Sequence, residues 1–265
     1  MPDNKIDLAP TLFLDTNVLV YLWSYLVKAK GLSLPPYPGT NFDLSQISLK
    51  LKETLPDSIV DPYIKGCKSL AFLQGKAIRQ DGEIVVQIYT SRLSKVEMLN
   101  GALDGKAHIL MAQQGIPYRM RQRASNLSDL ISTRLRREDI DETVNTANEI
   151  IELLKTKDSI FIDYVEDTQP TNEIARLAEF LSSRIYLDVL DIWMYACALS
   201  IQADQVLCFD NYFTKVIRRI NTGGDDWAKV KKEITVFLKD QWGWNKVIFP
   251  KVQNNLPGTT PLLWS

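Results

Sequence analysis

Five acidic residues lie directly against strongly apolar sequence. LFLDTNVLV puts Asp15 after a short apolar run, and SRLSKVEML puts Glu97 in the first turns of an expected helix. DVLDIWMYACAL places Asp188 and Asp191 at the head of a long apolar stretch, and LCFDNYF places Asp210 after another short run. Several carboxylates sharing a desolvated cleft are costly unless a cation neutralises them. The chain has one histidine, His108, and three cysteines, Cys67, Cys197 and Cys208, in no zinc-binding spacing. A two-His metal site is therefore excluded, and a Ser-His-Asp triad would have to run through His108, which the apolar context KAHILMA reads as a partly buried structural residue. Hard oxygen ligands without His or Cys select Mg²⁺ or Mn²⁺.

Each acid also has a purely structural reading. Asp15-Thr16-Asn17 could be only a helix start. Asp188 is a good N-cap with Asp191 in a capping-box-like position, Glu97 could be a solvated residue near a helix N-terminus, and Asp210 could cap the next helix. An aspartyl-nucleophile phosphatase would need a second Asp two residues after Asp15, where this chain has Asn17. No glycine-rich dinucleotide fingerprint and no phosphate-binding G-x-x-x-x-G-K-[ST] loop occurs.

The elements that must position these acids can be read from periodicity. TLFL (11–14) reads as a buried strand ending at Asp15, followed by a helix capped by Thr16 or Asn17. Residues 31–58, with Pro35, Pro36, Pro38, Gly39 and Pro56, read as loop, and 59–78 as helix. EIVVQIYTS reads as a strand after the Asp81-Gly82 turn, and Ser91 or Ser94 caps the helix carrying Glu97. From 104 to about 158 the pattern is helical, with Ile140, Val144, Ala147, Ile151 and Leu154 on one face. SIFIDYV (159–165) is a strand, 171–184 a helix, 188–203 a buried helix, QVLCF (205–209) a strand leading into a helix through Asn211, and WNKVIFPKV a last strand. Such alternation predicts an α/β fold with a parallel central sheet covered by helices on both faces. Ligands in these folds bind outside the carboxyl ends of the strands.

The composition is that of an ordinary globular chain: 265 residues, 45% hydrophobic, 24% charged and a formal net charge of −1. The near-zero charge means that any nucleic-acid binding must come from a local basic patch. No run of about 18 apolar residues predicts a transmembrane helix, and the cysteines are expected to be reduced core residues of a cytoplasmic protein.

The ordered motifs resemble the PIN-domain family of RNase-H-like nucleases. LFLDTNVLV resembles the family's first strand with its Asp-Thr-Asn signature, YTSRLSKVEMLNG the strand, serine and acidic helix, and DIWMYACALSIQADQVLCFD the late helix and strand. The resemblance covers about 15–100 and 160–215 directly. It implies a single PIN-like domain over 8–250 with expansions at about 28–58 and 104–158, the latter helical, and an irregular tail at 251–265. It implies Asp15, Glu97, Asp191 and Asp210 as catalytic metal ligands for one or two Mg²⁺ or Mn²⁺ ions, with Asp188 competing with Asp191 for the third place. Asn17 and Ser91 or Ser94 would be supporting or phosphate-contacting groups. One departure is Cys208, which stands where many members carry Thr or Ser and so loses a hydroxyl that could bond a metal ligand.

The implied activity is metal-dependent hydrolysis of phosphodiesters in RNA or single-stranded nucleic acid. YRMRQRASNLSDLISTRLRRED offers Arg119, Arg121, Arg123, Arg134, Arg136 and Arg137 as a substrate-binding flank, against the alternative of a solvated helical face. Lys215, Arg218 and Arg219 form a weaker basic cluster. The resemblance also allows a homodimer and a protein inhibitor. The alternatives are a catalytically weak nucleic-acid-binding or scaffold module and a toxin-like ribonuclease held by an inhibitor.

Overall fold

The computed structural model describes residues 10–31, 44–54, 57–77, 86–113, 115, 137–158, 160–254 and 256. Its centre is a five-stranded sheet, β1 (Thr11–Leu14), β2 (Gln87–Thr90), β3 (Ile162–Tyr164), β4 (Gln205–Leu207) and β5 (Lys251–Gln253), in the order β3-β2-β1-β4-β5. Every pairing is parallel, with Leu12 opposite Ile88 and Gln205, and Leu14 opposite Leu207. The α/β class expected from the sequence is the one observed.

Strand β1 is central because both of its faces are apolar. Leu12 and Leu14 join one core, and Phe13 joins the other. On the first face lie α1 (Thr16–Gly31), α2 (Leu44–Thr54), α3 (Asp57–Ala77), α4 (Arg92–Gln113) and α5 (Arg137–Asp158), whose buried residues include Leu22, Leu51, Leu70, Met98 and Leu154. After the short turn of helix α6 (Val165–Thr168), the second face is covered by α7 (Thr171–Ser182), α8 (Val189–Ser200), α9 (Asn211–Thr222) and α10 (Asp225–Trp242). Helix α8 is buried along its length from Ile192 to Ser200, apart from the half-buried Trp193, as its almost continuous apolar sequence requires.

Several boundaries differ from the sequence reading. The stretch read as loop contains α2, because Ile47 and Leu51 lie on one helical face and reach the core. Helix α1 starts at Thr16, so Asp15, not Thr16 or Asn17, precedes its first turn. Strand β3 stops at Tyr164 and β4 at Leu207, so Asp210 lies three residues beyond its strand. Helix α10 was not anticipated, although Trp227, Val230, Ile234 and Leu238 carry a helical repeat that packs on the second core. Strand β5 occupies 251–253, inside the stretch assigned to an irregular tail; its Val252 pairs with Val206.

The β1-β2-β3 half of the sheet grows to one side of β1 and the β4-β5 half to the other. The strand order therefore reverses between β1 and β4, and the crevice beyond their carboxyl ends is where such sheets bind ligands. Two bonds fix these neighbours: Asp15 N–H donates to the Leu207 carbonyl at 3.1 Å, and Thr90 Oγ1 donates to the Leu14 carbonyl at 3.0 Å.

Helix α1 can lie against α3 because Gly66 has no side chain. A Cβ there would fall 1.9 Å from the Tyr21 carbonyl oxygen and 2.8 Å from Tyr25 Cβ. Both are main-chain or near-main-chain atoms that cannot swing aside. Alanine gains up to about 1 kcal/mol of helix propensity, and the clash outweighs it. Gly66→Ala is expected to lower stability by about 1–3 kcal/mol, read as a lower urea midpoint; an equal or higher midpoint would contradict the close approach.

Candidate functional site

Asp15 leaves β1 at the sheet's carboxyl edge and is buried, with 5% of its surface exposed. Its Oδ1 accepts from the Thr16 N–H at 2.8 Å. Its Oδ2 accepts from Asn17 Nδ2 at 2.5 Å and from the Cys208 thiol at 2.9 Å. Asn17 also accepts from the Phe209 N–H at 3.0 Å. One amide side chain thus joins the start of α1 to the exit of β4. The hydroxyl that Cys208 lacks is replaced by a thiol hydrogen bond to the same carboxylate. Burial, with Asp15 beside it, pushes the Cys208 thiol far up and keeps its proton in place for donation.

Glu97 sits on the second turn of α4, half-buried, and its Oε2 accepts from the Thr16 hydroxyl. Thr16 was read from sequence only as a helix cap. Its position beside Asp15 is the one sequence signal that it could act as a bridge to a second acid.

Asp188 and Asp210 are exposed and do cap helices. Asp188 Oδ1 accepts from the Asp191 N–H at 2.8 Å, and Asp210 Oδ1 accepts from the Phe213 N–H at 2.7 Å. The capping reading of these two is therefore realised, through one oxygen of each. Asp191 is half-buried in the first turn of α8.

The acids lie within one another's field. Burial first, then Glu97 and Asp210, raise Asp15 from 3.8 to about 6, against the hydrogen bonds from Cys208 and Thr16 that lower it. Burial first, then Asp188, Asp15, Asp210 and Glu97, raise Asp191 from 3.8 to about 7. None of the ion pairs found among the described residues involves these acids; they join Lys65 to Asp61, Arg92 to Asp167 and Arg184 to Glu233. Among the described residues, no three carboxylate, thiol or imidazole side chains are drawn close enough to hold a metal ion. The donors are all oxygen, as a hard cation requires, but only Asp15 is buried, with Glu97 and Asp191 half-buried and Asp210 exposed. The spacing would have to contract around such a cation.

Of the two serines expected to cap α4, Ser91 does so, and both are buried. Ser91 is fully buried; it donates to Glu166, accepts from Trp193 Nε1 at 3.0 Å, and accepts from the Leu93 N–H at 3.1 Å as it caps α4. Ser94 is also fully buried, against Met194 Sδ at 3.0 Å. Neither hydroxyl faces solvent, so neither is placed to touch a phosphate. Of the arginine flank, Arg137 is exposed at the start of α5, while Arg119, Arg121, Arg123, Arg134 and Arg136 lie outside the described residues, as does the His108 side chain. Lys215, Arg218 and Arg219 are exposed on α9, where Arg218 bonds Asn254.

The chain matches no family model, no curated protein and no solved structure with which it was compared.

A carboxyl whose pKa is higher in the folded chain than in the unfolded one favours folding while it is protonated. That benefit is full below about pH 4 and is lost as the pH rises through 6 and 7. In chelator, Asp191→Asn is expected to raise stability by about 1–2 kcal/mol at pH 8, the partly exposed carboxyl being screened by solvent, and by nothing measurable at pH 4. Denaturant melts across that range measure it; a difference independent of pH would contradict the shared carboxylate field.

Proposed function

We propose that this chain is a divalent-metal-dependent nuclease of the PIN type, hydrolysing phosphodiester bonds with RNA as the favoured substrate. The observation that carries the reading is a carboxylate buried at the carboxyl end of the central strand, Asp15, whose neighbour Thr16 bonds a second acid, Glu97, far away in sequence; burial and neighbouring acids raise both Asp15 and Asp191 above the carboxylate range. Asp15 stands beyond the β1-β4 reversal, where a parallel sheet opens to ligands, and Asp191 is within its electrostatic reach. Asp15, Glu97, Asp191 and Asp210 would hold one or two Mg²⁺ or Mn²⁺ ions, with Asp188 at the rim. When bound, such a cation supplies acidified water and charge stabilisation at the leaving oxygen.

The chain's own residues have distinct tasks. Cys208 and Asn17 orient Asp15 from one side, and the Thr16 N–H orients its other oxygen. The Thr16 hydroxyl fixes Glu97. Neighbours of this kind set the direction in which a ligand oxygen points. A non-catalytic nucleic-acid-binding module is the second reading. It is favoured by one observation: no three of the candidate ligands stand at chelating distance among the described residues. The chain has, among those residues, no helix long and apolar enough to cross a membrane.

The deciding experiment incubates a mixed RNA pool with the protein and Mn²⁺ or Mg²⁺. Wild type is expected to degrade it and Asp15→Asn to lose at least about a hundredfold in rate. Equal residual degradation by both proteins sinks the nuclease reading. Binding of RNA without cleavage in either metal selects the module instead.

A further inference from the structure

The rim of this crevice carries exposed rings on a fixed backbone. Tyr186 is 87% exposed, Val189 82% and Tyr212 49%. These are large apolar surfaces to leave in water. Tyr186 stands between two buried anchors, Ile185 and Leu187. The Tyr212 hydroxyl donates to the Tyr186 carbonyl at 3.0 Å, tying the segment before α8 to the first turn of α9. Asp188 closes the other side by capping α8. The Tyr186 ring is thus presented on an ordered main chain, and little freedom remains to be lost when something lies on it.

Its neighbours say what that should be. Tyr186 precedes Asp188 by two residues, and Tyr212 follows Asp210 by two. Each ring thus stands two residues from an acid of the site. Carboxylates repel a phosphate backbone, so rings beside them can hold a nucleic acid by its bases, leaving the phosphates to cations such as Lys215, Arg218 and Arg219 further along α9. Nucleobases offer flat faces to tyrosine rings whatever their sequence. In a duplex those faces are stacked on one another and hidden.

We propose that Tyr186 and Tyr212 form a stacking platform for the bases of a single-stranded nucleic acid, leading its backbone toward the carboxylates. This rests on the nuclease reading for its direction, but the platform can be tested without cleavage. Fluorescence anisotropy in Ca²⁺ buffer, with the full chain, compares a labelled single-stranded RNA of about 12 nucleotides with a blunt duplex of the same sequence. Tyr186→Ala is expected to weaken single-strand binding at least about fivefold, with Tyr186→Phe close to wild type and the weaker duplex binding unchanged. Equal urea midpoints and far-UV circular dichroism for wild type and Tyr186→Ala report an intact fold.

The platform is overturned if Tyr186→Ala binds the single strand as wild type does, if wild type does not bind it, or if duplex binding falls in parallel. It is likewise overturned if sedimentation shows the substitution splitting a dimer while RNA affinity is unchanged, which would make the rim a contact between copies. A wild type that hydrolyses no diester, yet loses single-strand affinity through Tyr186→Ala, supports the platform and removes the nuclease reading alone.

Discussion

The site depends on one desolvated carboxylate at the middle of the sheet. Asp15 follows the central strand directly, so its main chain is committed to β4 through the bond to Leu207. Its side chain has nowhere to go but the crevice edge, and there it is 5% exposed. An ionised carboxylate in that position is unfavourable unless donors surround it. Three do: a main-chain N–H, an amide and a thiol. The thiol and the N–H lower its pKa without cancelling the effect of burial and of the neighbouring acids, which leave it near 6.

The other acids are tolerated because of where helices begin. In an all-parallel sheet the helices that follow β1, β2 and β4 start at the carboxyl edge, and α8, which leads into β4, starts there too. Their N-termini bring partial positive charge to one place. Asp15 precedes α1, Asp188 precedes α8, Asp210 precedes α9, and Glu97 lies on the second turn of α4. Each helix end contributes about 0.3–1 kcal/mol toward a nearby anion. That offsets part of the repulsion; burial first, and then the repulsion that remains, hold Asp191 near 7. Capping and ligation are therefore not rival roles. A carboxylate that accepts a helix N–H through Oδ1 can hold its other oxygen to the crevice.

Much of this was legible in the sequence, and the reasons differ by element. The short apolar runs before Asp15 and Asp210, and the long one after Asp191, announce buried strands and a buried helix. Those burials alone dictate that the acids gather at one edge. Helix α10 escapes a reading by composition because its apolar positions are diluted by eight charged residues (Asp225, Asp226, Lys229, Lys231, Lys232, Glu233, Lys239 and Asp240), so only its 3.6-residue repeat marks it. The last strand expected over WNKVIFPKV shrinks to its final residues and Gln253, because β5 is three residues long and too little buried for alternation to fix its bounds. Ser91 caps α4 as the sequence allows, but nothing in the sequence reveals that Trp193 and Met194 from α8 cover Ser91 and Ser94 and keep both hydroxyls from solvent. Cys208 is a different case. A thiol looks like a lost hydroxyl until the distance to Asp15 shows that it donates in the same place.

Helix α1 carries the demands of both core and chemistry. Its first two residues hold the site: Thr16 reaches Glu97, and Asn17 reaches Asp15 and the exit of β4. One turn further on, Tyr21 packs its ring on Phe209 at 5.6 Å, beside Asp210 in sequence, and its carbonyl lies where Gly66 must have no side chain. Leu22, Tyr25 and Leu26 then bury the remainder of the helix in the first core. Any displacement of α3 against α1 is therefore transmitted along a rigid helix to the two residues that aim Asp15 and Glu97. Close packing at Gly66 limits that displacement to fractions of an ångström. The alignment of the acids is in this sense a property of the core, set by a glycine that touches none of them.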